Sequence, residues 1–540
     1  MRPFLTLHTP ARARAFYEAA LWREQTLYDL LSQHALARPD VPAIRDGRVS
    51  KSWSELRRWV DGVANDLRRR GLKRGDRVSI WMSNRVESVV MFLACVREGL
   101  ACNPSLHRTH TCEEVRQLLG RLSASALLTE PGWGADRATT DFERMLAGVS
   151  HLKVVYTPDD FPAPGEAAAA PCDDPDKVSY LAFTSGTTGE PKCVMHSDNT
   201  LLANARELVA AWGHDADTVL LSLSPLSHHI AWVAVAQWLL AGCQFVTDDP
   251  PTGHGRLDWL IATGATYVMG VPTHAIDMLA EQASRQIPRL GKVQIFYMAG
   301  ASIPQSVAER FVAQGIKPQN VYGMTENSSH QYTHPDDDSL TVVTTCGRGG
   351  RAYEVKLFDP ENRDRPVAIG EVGEIGGRGA ALMLGYFGNQ AATEASFNAE
   401  GWFMSGDLGR LNARGDLRIE GRVKDLIIRG GHNIYPAHIE ALSLRHPLVE
   451  KAACFAVPDP RLGERICIAV IGTVDPVELL DHLQREGLSK FDMPEQFLRL
   501  ETLPLTASGK ILKRTLAARV QSGGLHPMPI RGQRAGSAES

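Results

Sequence analysis

The feature that most constrains the fold is a repeated alternation of short apolar runs with stretches whose apolar residues recur at helical spacing. Residues 52–70 open with Ser-Trp-Ser-Glu, a capping pattern, and carry Leu56, Val60, Val63, Ala64 and Leu67 along one face. Arg77-Val-Ser-Ile-Trp then reads as a short buried strand and residues 86–100 as a second helix. Residues 126–129 and 152–156 are further strand-like runs. Strand followed by helix, repeated, predicts parallel sheets covered by helices, so the expected class is α/β. At 540 residues the chain exceeds what one core serves, and more than one domain is expected.

The pattern changes further along. Residues 161–175, rich in Pro, Ala and acid, read as a surface connection. From Tyr353 the runs Val355-Lys-Leu-Phe, Gly373-Glu-Ile-Gly and Asp416-Leu-Arg-Ile-Glu are short strands separated by turn residues, which predicts a β-rich subdomain. After Arg422 come a helix near 436–445, strands at 452–457 and 466–471, and a helix at 477–486, a compact α+β module. Residues 523–540 are rich in Gly, Pro and Ser and read as a disordered tail. There are no internal repeats.

Charge and cysteine usage exclude several classes. Lys+Arg total 58 against 62 for Asp+Glu, which gives no nucleic-acid or polybasic membrane footprint. The nine cysteines, among them Cys95, Cys193, Cys346 and Cys467, form no CxxC pair, so neither a zinc ribbon nor a thioredoxin-like site is expected. A reduced, cytoplasmic compartment fits this usage. The first residues lack the apolar core of a secretory signal. The most apolar stretch, 230–243, is too short to span a membrane and reads as a buried helix.

The chemistry concentrates in Tyr180-Leu-Ala-Phe-Thr-Ser-Gly-Thr-Thr-Gly-Glu-Pro-Lys-Cys-Val. An apolar strand runs into four hydroxyls, two glycines and a lysine. Glycines let backbone N–H groups converge on an anion, hydroxyls add donors and Lys192 adds charge, so the loop suits a polyphosphate. It lacks Walker A spacing. Six further segments follow in order: Ser224-Pro-Leu-Ser-His-His, Val321-Tyr-Gly-Met-Thr-Glu, Gly401-Trp-Phe-Met-Ser-Gly-Asp, Gly421-Arg-Val-Lys-Asp, Gly430-Gly-His-Asn-Ile-Tyr-Pro and Pro504-Leu-Thr-Ala-Ser-Gly-Lys. Together with the first, they resemble the motifs of the adenylate-forming superfamily, which comprises acyl-CoA synthetases, peptide-synthetase adenylation domains and luciferases. The resemblance runs to about residue 520 and is strongest toward the acyl-CoA synthetase branch, in particular bacterial ligases for cyclohexanecarboxylate and medium-chain acids.

The resemblance implies a large N-terminal domain over 1–423, made of layered α/β subdomains plus a β-rich one. It implies a small, mobile α+β C-terminal domain over 424–520, with 521–540 left as the tail. It implies ATP, Mg2+ and coenzyme A as cofactors, and an activity that forms an acyl-AMP and then a thioester. Thr184, Ser185, Gly186, Thr187, Thr188, Gly189 and Lys192 match the phosphate loop; Gly300, Ala301, Ser302, Tyr322, Gly323, Met324 and Thr325 match nucleotide positions. Tyr322 offers a face for adenine. Glu326, with Thr184, is the expected metal position, since Mg2+ prefers hard oxygens and keeps its other sites for water and phosphate. Asp407 and Arg422 match ribose positions, a carboxylate being able to accept from both hydroxyls. Lys510 matches the mobile lysine that offsets charge on the α-phosphate during adenylation. Lys424 matches the hinge between the domains, and Gly430 and Gly431 the loop that lines the thiol channel.

The resemblance places His228 at the acyl pocket and its access path, so the expected catalytic set is Lys510, Glu326, Thr184 and His228. His228, His229, Ile230, Trp232, Met269, Met298, Val321 and Ser328, with Gly300, Ala301 and Gly323, are the pocket candidates. This set has no Lys or Arg for a second carboxylate and no Asp or Glu for an ammonium, so an apolar monocarboxylic acid is the expected partner. Aryl acids are the alternative, although relatives acting on 2-hydroxybenzoates usually have Asn where His229 stands. A non-enzymatic acyl- or nucleotide-binding relative is the alternative of another class; Lys510 and Glu326, both present, argue against it. Coenzyme A is the expected acceptor, with a separate carrier protein as the other choice, and no appended carrier domain is expected. Neither nucleic acid nor an integral membrane segment is expected, and a homodimer is admitted. One departure from the family pattern is Cys193, where Gly is usual, which raises the prospect of sensitivity to alkylation.

Overall fold

The computed structural model describes residues 8–184, 191–505 and 511–530. These pack as two compact units. The first comprises Met1–Val355, Gly377–Phe403 and Arg414–Leu417; the second comprises Lys356–Gly376, Met404–Ala413 and Arg418–Ser540. This division by packing differs from the expected functional one at 423–424, which concerns a hinge rather than compactness.

The first unit holds two sheets. One runs in the order Ser328–Tyr332, Lys317–Met324, Ile295–Ala299, Tyr267–Gly270, Val219–Ser222, Gln244–Thr247, Pro42–Arg45, Ser50–Ser52. All its neighbours pair parallel except the two edge strands, Ser328–Tyr332 and Ser50–Ser52. The other runs Val154–Tyr156, Ala126–Thr129, Arg77–Trp81, Ala101–Asn103, Val178–Thr184, Lys192–Ser197, and only the last strand is antiparallel.

The largest core lies between these sheets. It takes Val78, Ile80 and Tyr180 from one sheet, Leu220, Phe245, Tyr267, Met269 and Tyr297 from the other, and the buried faces of helices between them. Helix Trp53–Arg69 forms as its sequence predicts. Ser52 caps Glu55 and Glu55 returns the bond, which satisfies two orphan N–H groups at its start. Helix His229–Ala241 is apolar on nearly every side and accordingly buried along most of its length. The outer faces of the sheets carry separate cores, one with Leu257, Met278 and Phe311, the other with Val115, Leu119 and Phe142. No helix among the described residues is long and apolar enough to cross a membrane.

The second unit also contains two sheets. One has the order Asn362–Pro366, Tyr353–Asp359, Val372–Gly379, Phe403–Leu411, Leu417–Arg422, most of whose residues belong to this unit. The other has the order His432–Ile434, Ile427–Arg429, Gly463–Gly472, Gln496–Arg499, Met528–Pro529, with Val449–Asp459 also paired to Gly463–Gly472. Helices Pro436–Ser443 and Pro476–Arg485 cover one face of this sheet and Lys513–Gln521 the other.

Here the expected tail differs from the structure. Residues 528–529 add an edge strand beside Gln496–Arg499, and Ile530 is 4% exposed in the core below. A single buried isoleucine and two paired strand residues anchor a segment whose Gly and Pro content alone predicts disorder. Residues 531–540 lie outside the described residues.

Candidate active site

In open parallel sheets, ligands bind beyond the carboxyl ends of the strands, where the strand order reverses. The first sheet reverses at Val219–Ser222: the chain moves from there to Gln244–Thr247 on one side and to Tyr267–Gly270 on the other. The segment leaving this switch strand is Ser224-Pro-Leu-Ser-His-His. Gly300, Ala301 and Ser302 leave the end of Ile295–Ala299, and Tyr322–Glu326 close the end of Lys317–Met324. In the second sheet Thr184 ends a parallel strand and pairs with Lys192 across the hairpin. Ser185, Gly186, Thr187, Thr188 and Gly189 lie outside the described residues. Thr184 and Lys192 mark where that segment leaves and returns to the sheet.

Side chains tie the two sheets' carboxyl ends together. The ring of His228 meets that of His107 edge-on at 4.7 Å between centroids, and His107 Nδ1 lies 3.1 Å from Ser227 Oγ. Burial, followed by the neighbouring His228 and His110, pushes His107 down to about 3. His196 is fully buried and its Nε2 lies 2.6 Å from the carbonyl oxygen of Thr325. Because that carbonyl only accepts, Nε2 carries the proton, and burial pushes the imidazole down to about 4.

His229 is held at both nitrogens, Nδ1 by Tyr180 Oη at 3.2 Å and Nε2 by Ser328 Oγ at 3.0 Å. Burial and the stacked His196 ring hold it well below the ordinary histidine range, so it is neutral at pH 7. Ser328 itself has φ +56°, a left-handed conformation rare outside glycine.

Gly323 sits at a bulge against Ser328–Tyr332, and a Cβ there would lie 1.7 Å from the Ser328 carbonyl oxygen. The position needs glycine because another backbone passes through the space a side chain would take. Met324 N–H donates to Asn327 Oδ1 at 3.0 Å, which closes the turn that carries Glu326. Glu326 is 6% exposed, and Tyr386 Oη donates to its Oε1 at 2.9 Å. Among the described residues no group of three or more His, Cys, Asp or Glu could hold a metal. A single carboxylate fits Mg2+ in a site where phosphates supply other ligands, since carboxylate oxygens can accept a hydrogen bond and ligate a cation together.

The pocket candidates do not all come together. Met269, Trp232 and Val321 share the core between the sheets, with Ile230 packed against it. Trp232 is 1% exposed, its Nε1 donates to the Leu226 carbonyl at 2.6 Å, and its ring rests 4.3 Å from that of Phe92. Met298 is the correction. On Ile295–Ala299 it pairs with Gly270, not Met269, so it points to the opposite face and packs with Leu221, Val268 and Phe296. Alternation along a strand forbids it from joining Met269.

Cys193 is 3% exposed and packs with Leu181 and Phe183, and burial pushes its thiol up to about 12. This burial fits a neutral substitution better than sensitivity to alkylation, since the reactive species is the exposed thiolate.

In the second unit Arg422 Nε lies 3.4 Å from Asp407 Oδ1, which joins the two ribose candidates. Lys424, in the turn Val423–Asp425, is pushed down to about 8 by burial and then by Arg422. Gly430 and Gly431, at φ +57° and +84°, form the two-residue turn between Ile427–Arg429 and His432–Ile434. Positive φ at both positions of such a turn favours glycine, so hairpin geometry alone accounts for both residues. Lys510 lies outside the described residues.

The profile described as AMP-binding enzyme matches residues 31–387, and that of the AMP-binding enzyme C-terminal domain matches 438–510. The chain belongs to the AMP-binding, adenylate-forming enzymes. Within this superfamily it is 30% identical over 534 residues to the medium-chain fatty-acid–CoA ligase of Escherichia coli, covering 95% of this chain and 93% of that one. It is also 30% identical over 533 residues to a salicylyl-CoA synthase / salicylate adenylyltransferase of a Streptomyces species, covering 93% and 95%. ATP-bound MatB from Rhodopseudomonas palustris superposes with a TM-score of 0.81 at 28% identity, covering 92% of this chain and 99% of that one. The AMP-binding family assignment makes the chain an AMP-forming acid–thiol ligase that takes ATP and a carboxylic acid.

Residue-by-residue reading of the sequence missed His107, His196 and Tyr386. His107 follows a parallel strand end, a position the topology marks as functional. Tyr386 carries no local signal and is visible only through its contact with Glu326.

Proposed function

We propose that this enzyme activates an apolar monocarboxylic acid, alicyclic or medium-chain, as its adenylate and passes the acyl group to coenzyme A. The observation that carries the acid class is the neutrality of the pocket candidates. His229 spends both ring nitrogens on Tyr180 and Ser328, and Met269, Trp232 and Val321 are apolar. A second carboxylate or an ammonium finds no opposite charge there and would remain unpaired in a buried site.

In this reading the acid's carboxylate oxygen attacks the α-phosphorus of ATP and pyrophosphate leaves. The thiol sulfur then attacks the acyl carbonyl, loses its proton, and AMP leaves. Thr184, Lys192 and the loop between them hold the polyphosphate. Tyr322 and Gly300–Ser302 border the adenine, and Asp407 and Arg422 take the ribose. Glu326 and Thr184 would hold Mg2+, which would supply charge neutralisation on the phosphates. Lys510 offsets charge on the α-phosphate in the first step, with Lys424 as the hinge and the Gly430–Gly431 turn on the thiol side in the second. His228 borders the acid.

The salicylyl-CoA relative favours a second reading, in which the acid is aromatic. The experiment is a panel of octanoate, cyclohexanecarboxylate, salicylate and malonate, scored for AMP release and for acyl-CoA by mass. Turnover of the first two above salicylate, dependent on coenzyme A, supports the proposal. Preference for salicylate supports the second reading, and preference for malonate removes both. Lys510→Ala is expected to lose adenylation yet form thioester from supplied acyl-AMP.

A further inference from the structure

Residues 383–387 belong to none of the seven motifs, yet they join two of them. Leu384 N–H donates to Met195 O at 2.8 Å, Met195 N–H to Gly385 O at 3.0 Å and Phe387 N–H to Cys193 O at 2.7 Å, so the segment runs as an added strand beside Lys192–Ser197. At its start Met383 N–H donates to the backbone carbonyl of Glu326 at 2.8 Å. Its backbone thus ties the strand that begins at Lys192 to the turn that bears Glu326.

One side chain repeats that connection. Tyr386, 5% exposed, donates its hydroxyl to Glu326 Oε1 at 2.9 Å, and its ring lies 4.7 Å from Lys192 Nζ. Its own N–H donates to Thr393 Oγ1 at 3.0 Å, which fixes the backbone behind the ring. The hydroxyl helps to orient the buried carboxylate, and an ammonium without the ring face would lose a favourable contact.

We propose that Tyr386 is a positioning residue that sets Glu326 and Lys192 in register for the magnesium-bound triphosphate. The proposal rests on the reading of Glu326 as the metal position and Lys192 as a phosphate contact. It explains why one aromatic ring touches both an anion and a cation from different sheets, and why the hydroxyl faces the anion.

The test uses the full-length enzyme in acid-dependent ATP–pyrophosphate exchange at varied Mg2+. Tyr386→Phe keeps the ring under Lys192 and removes the hydroxyl, with its bond to Glu326 and its weaker contact with Ser396. It is expected to raise the Mg2+ concentration for half-maximal exchange, and KM for ATP, about tenfold, the worth of one bond to a charged group. KM for the acid should stay unchanged. Tyr386→Leu should raise both further, and Tyr386→Phe placed on Glu326→Gln should add little. If Glu326→Gln is impaired while Tyr386→Phe keeps wild-type Mg2+ dependence, the proposal is overturned. It is equally overturned if Tyr386→Phe lowers kcat with no change in Mg2+ dependence, because a merely structural role does that. If Glu326→Gln itself behaves as wild type, the metal role of Glu326 fails, and the failure is recognisable as distinct.

Discussion

Gly323→Ala offers a strong test of how the site is built. The new methyl carbon would lie 1.7 Å from Ser328 O, 2.7 Å from Ser328 C and 3.0 Å from Ser329 Cα, all backbone atoms. Contacts under 3.0 Å are essentially never met by a real Cβ, and no flexible side chain is available to give way. The Ser328 turn must therefore move. It carries Ser328 Oγ, which holds His229, and it follows directly on Glu326 and Asn327. Overpacking that forces a backbone shift costs roughly 1–3 kcal/mol. The kinetic cost should be larger in proportion, since a displacement of about 1 Å in a reacting site can lower rates about 100-fold. The assay is ATP–pyrophosphate exchange beside urea unfolding. Gly213→Ala serves as the control: Gly213 has φ +65° at a helix end with open space around it, so alanine there should cost about 1 kcal/mol and leave exchange intact. Wild-type exchange in Gly323→Ala would refute the reasoning, because the turn would then not position the chemistry.

Three further outcomes are expected. Lys424→Pro should slow thioester formation far more than adenylate formation in single-turnover assays; equal loss of both would remove the hinge role. His196 and His330 are buried and pushed from 6.5 to about 4 and about 3, so below pH 6.5 the unfolded chain binds protons the folded one does not. Stability should be flat above that pH and fall below it by up to about 1.4 kcal/mol per pH unit for each histidine. His330→Phe should flatten the decline in urea midpoint between pH 7 and 5, and an unchanged slope would contradict the assignment. Cys193 should resist iodoacetamide in the native enzyme and react once urea unfolds it; rapid native labelling would show that the strand opens.

The legible parts of the fold are those written in local pattern. The Ser52–Glu55 cap and the spacing of Leu56, Val60 and Leu67 specify a helix without reference to the rest of the chain. The strand at Arg77–Trp81 is equally plain. Met298 is not, because its side of the sheet depends on register with Gly270, and register is a relation between strands. The anchoring of the tail is hidden for a similar reason: Ile530 finds its partners in a sheet begun a hundred residues earlier. At the site, motif residues such as Glu326 and Lys192 are visible in the sequence, but the contact joining both to Tyr386 spans 60 residues to one and more to the other. The glycines at 323, 430 and 431 are visible as glycines. Their physical reasons, a passing backbone at one and a tight hairpin at the others, become apparent only in three dimensions.

If this enzyme makes an acyl-adenylate from an apolar acid and discharges it to coenzyme A, the two half-reactions must be separable. Exchange of labelled pyrophosphate into ATP with octanoate or cyclohexanecarboxylate, first without coenzyme A and then with it, separates them. Exchange should require the acid but not the thiol, and acid quench should trap an acyl-AMP. Adding the thiol should convert that acyl-AMP to equal amounts of AMP and acyl-CoA. Exchange that proceeds without any acid, or the appearance of ADP and phosphate in place of AMP, would contradict this chemistry.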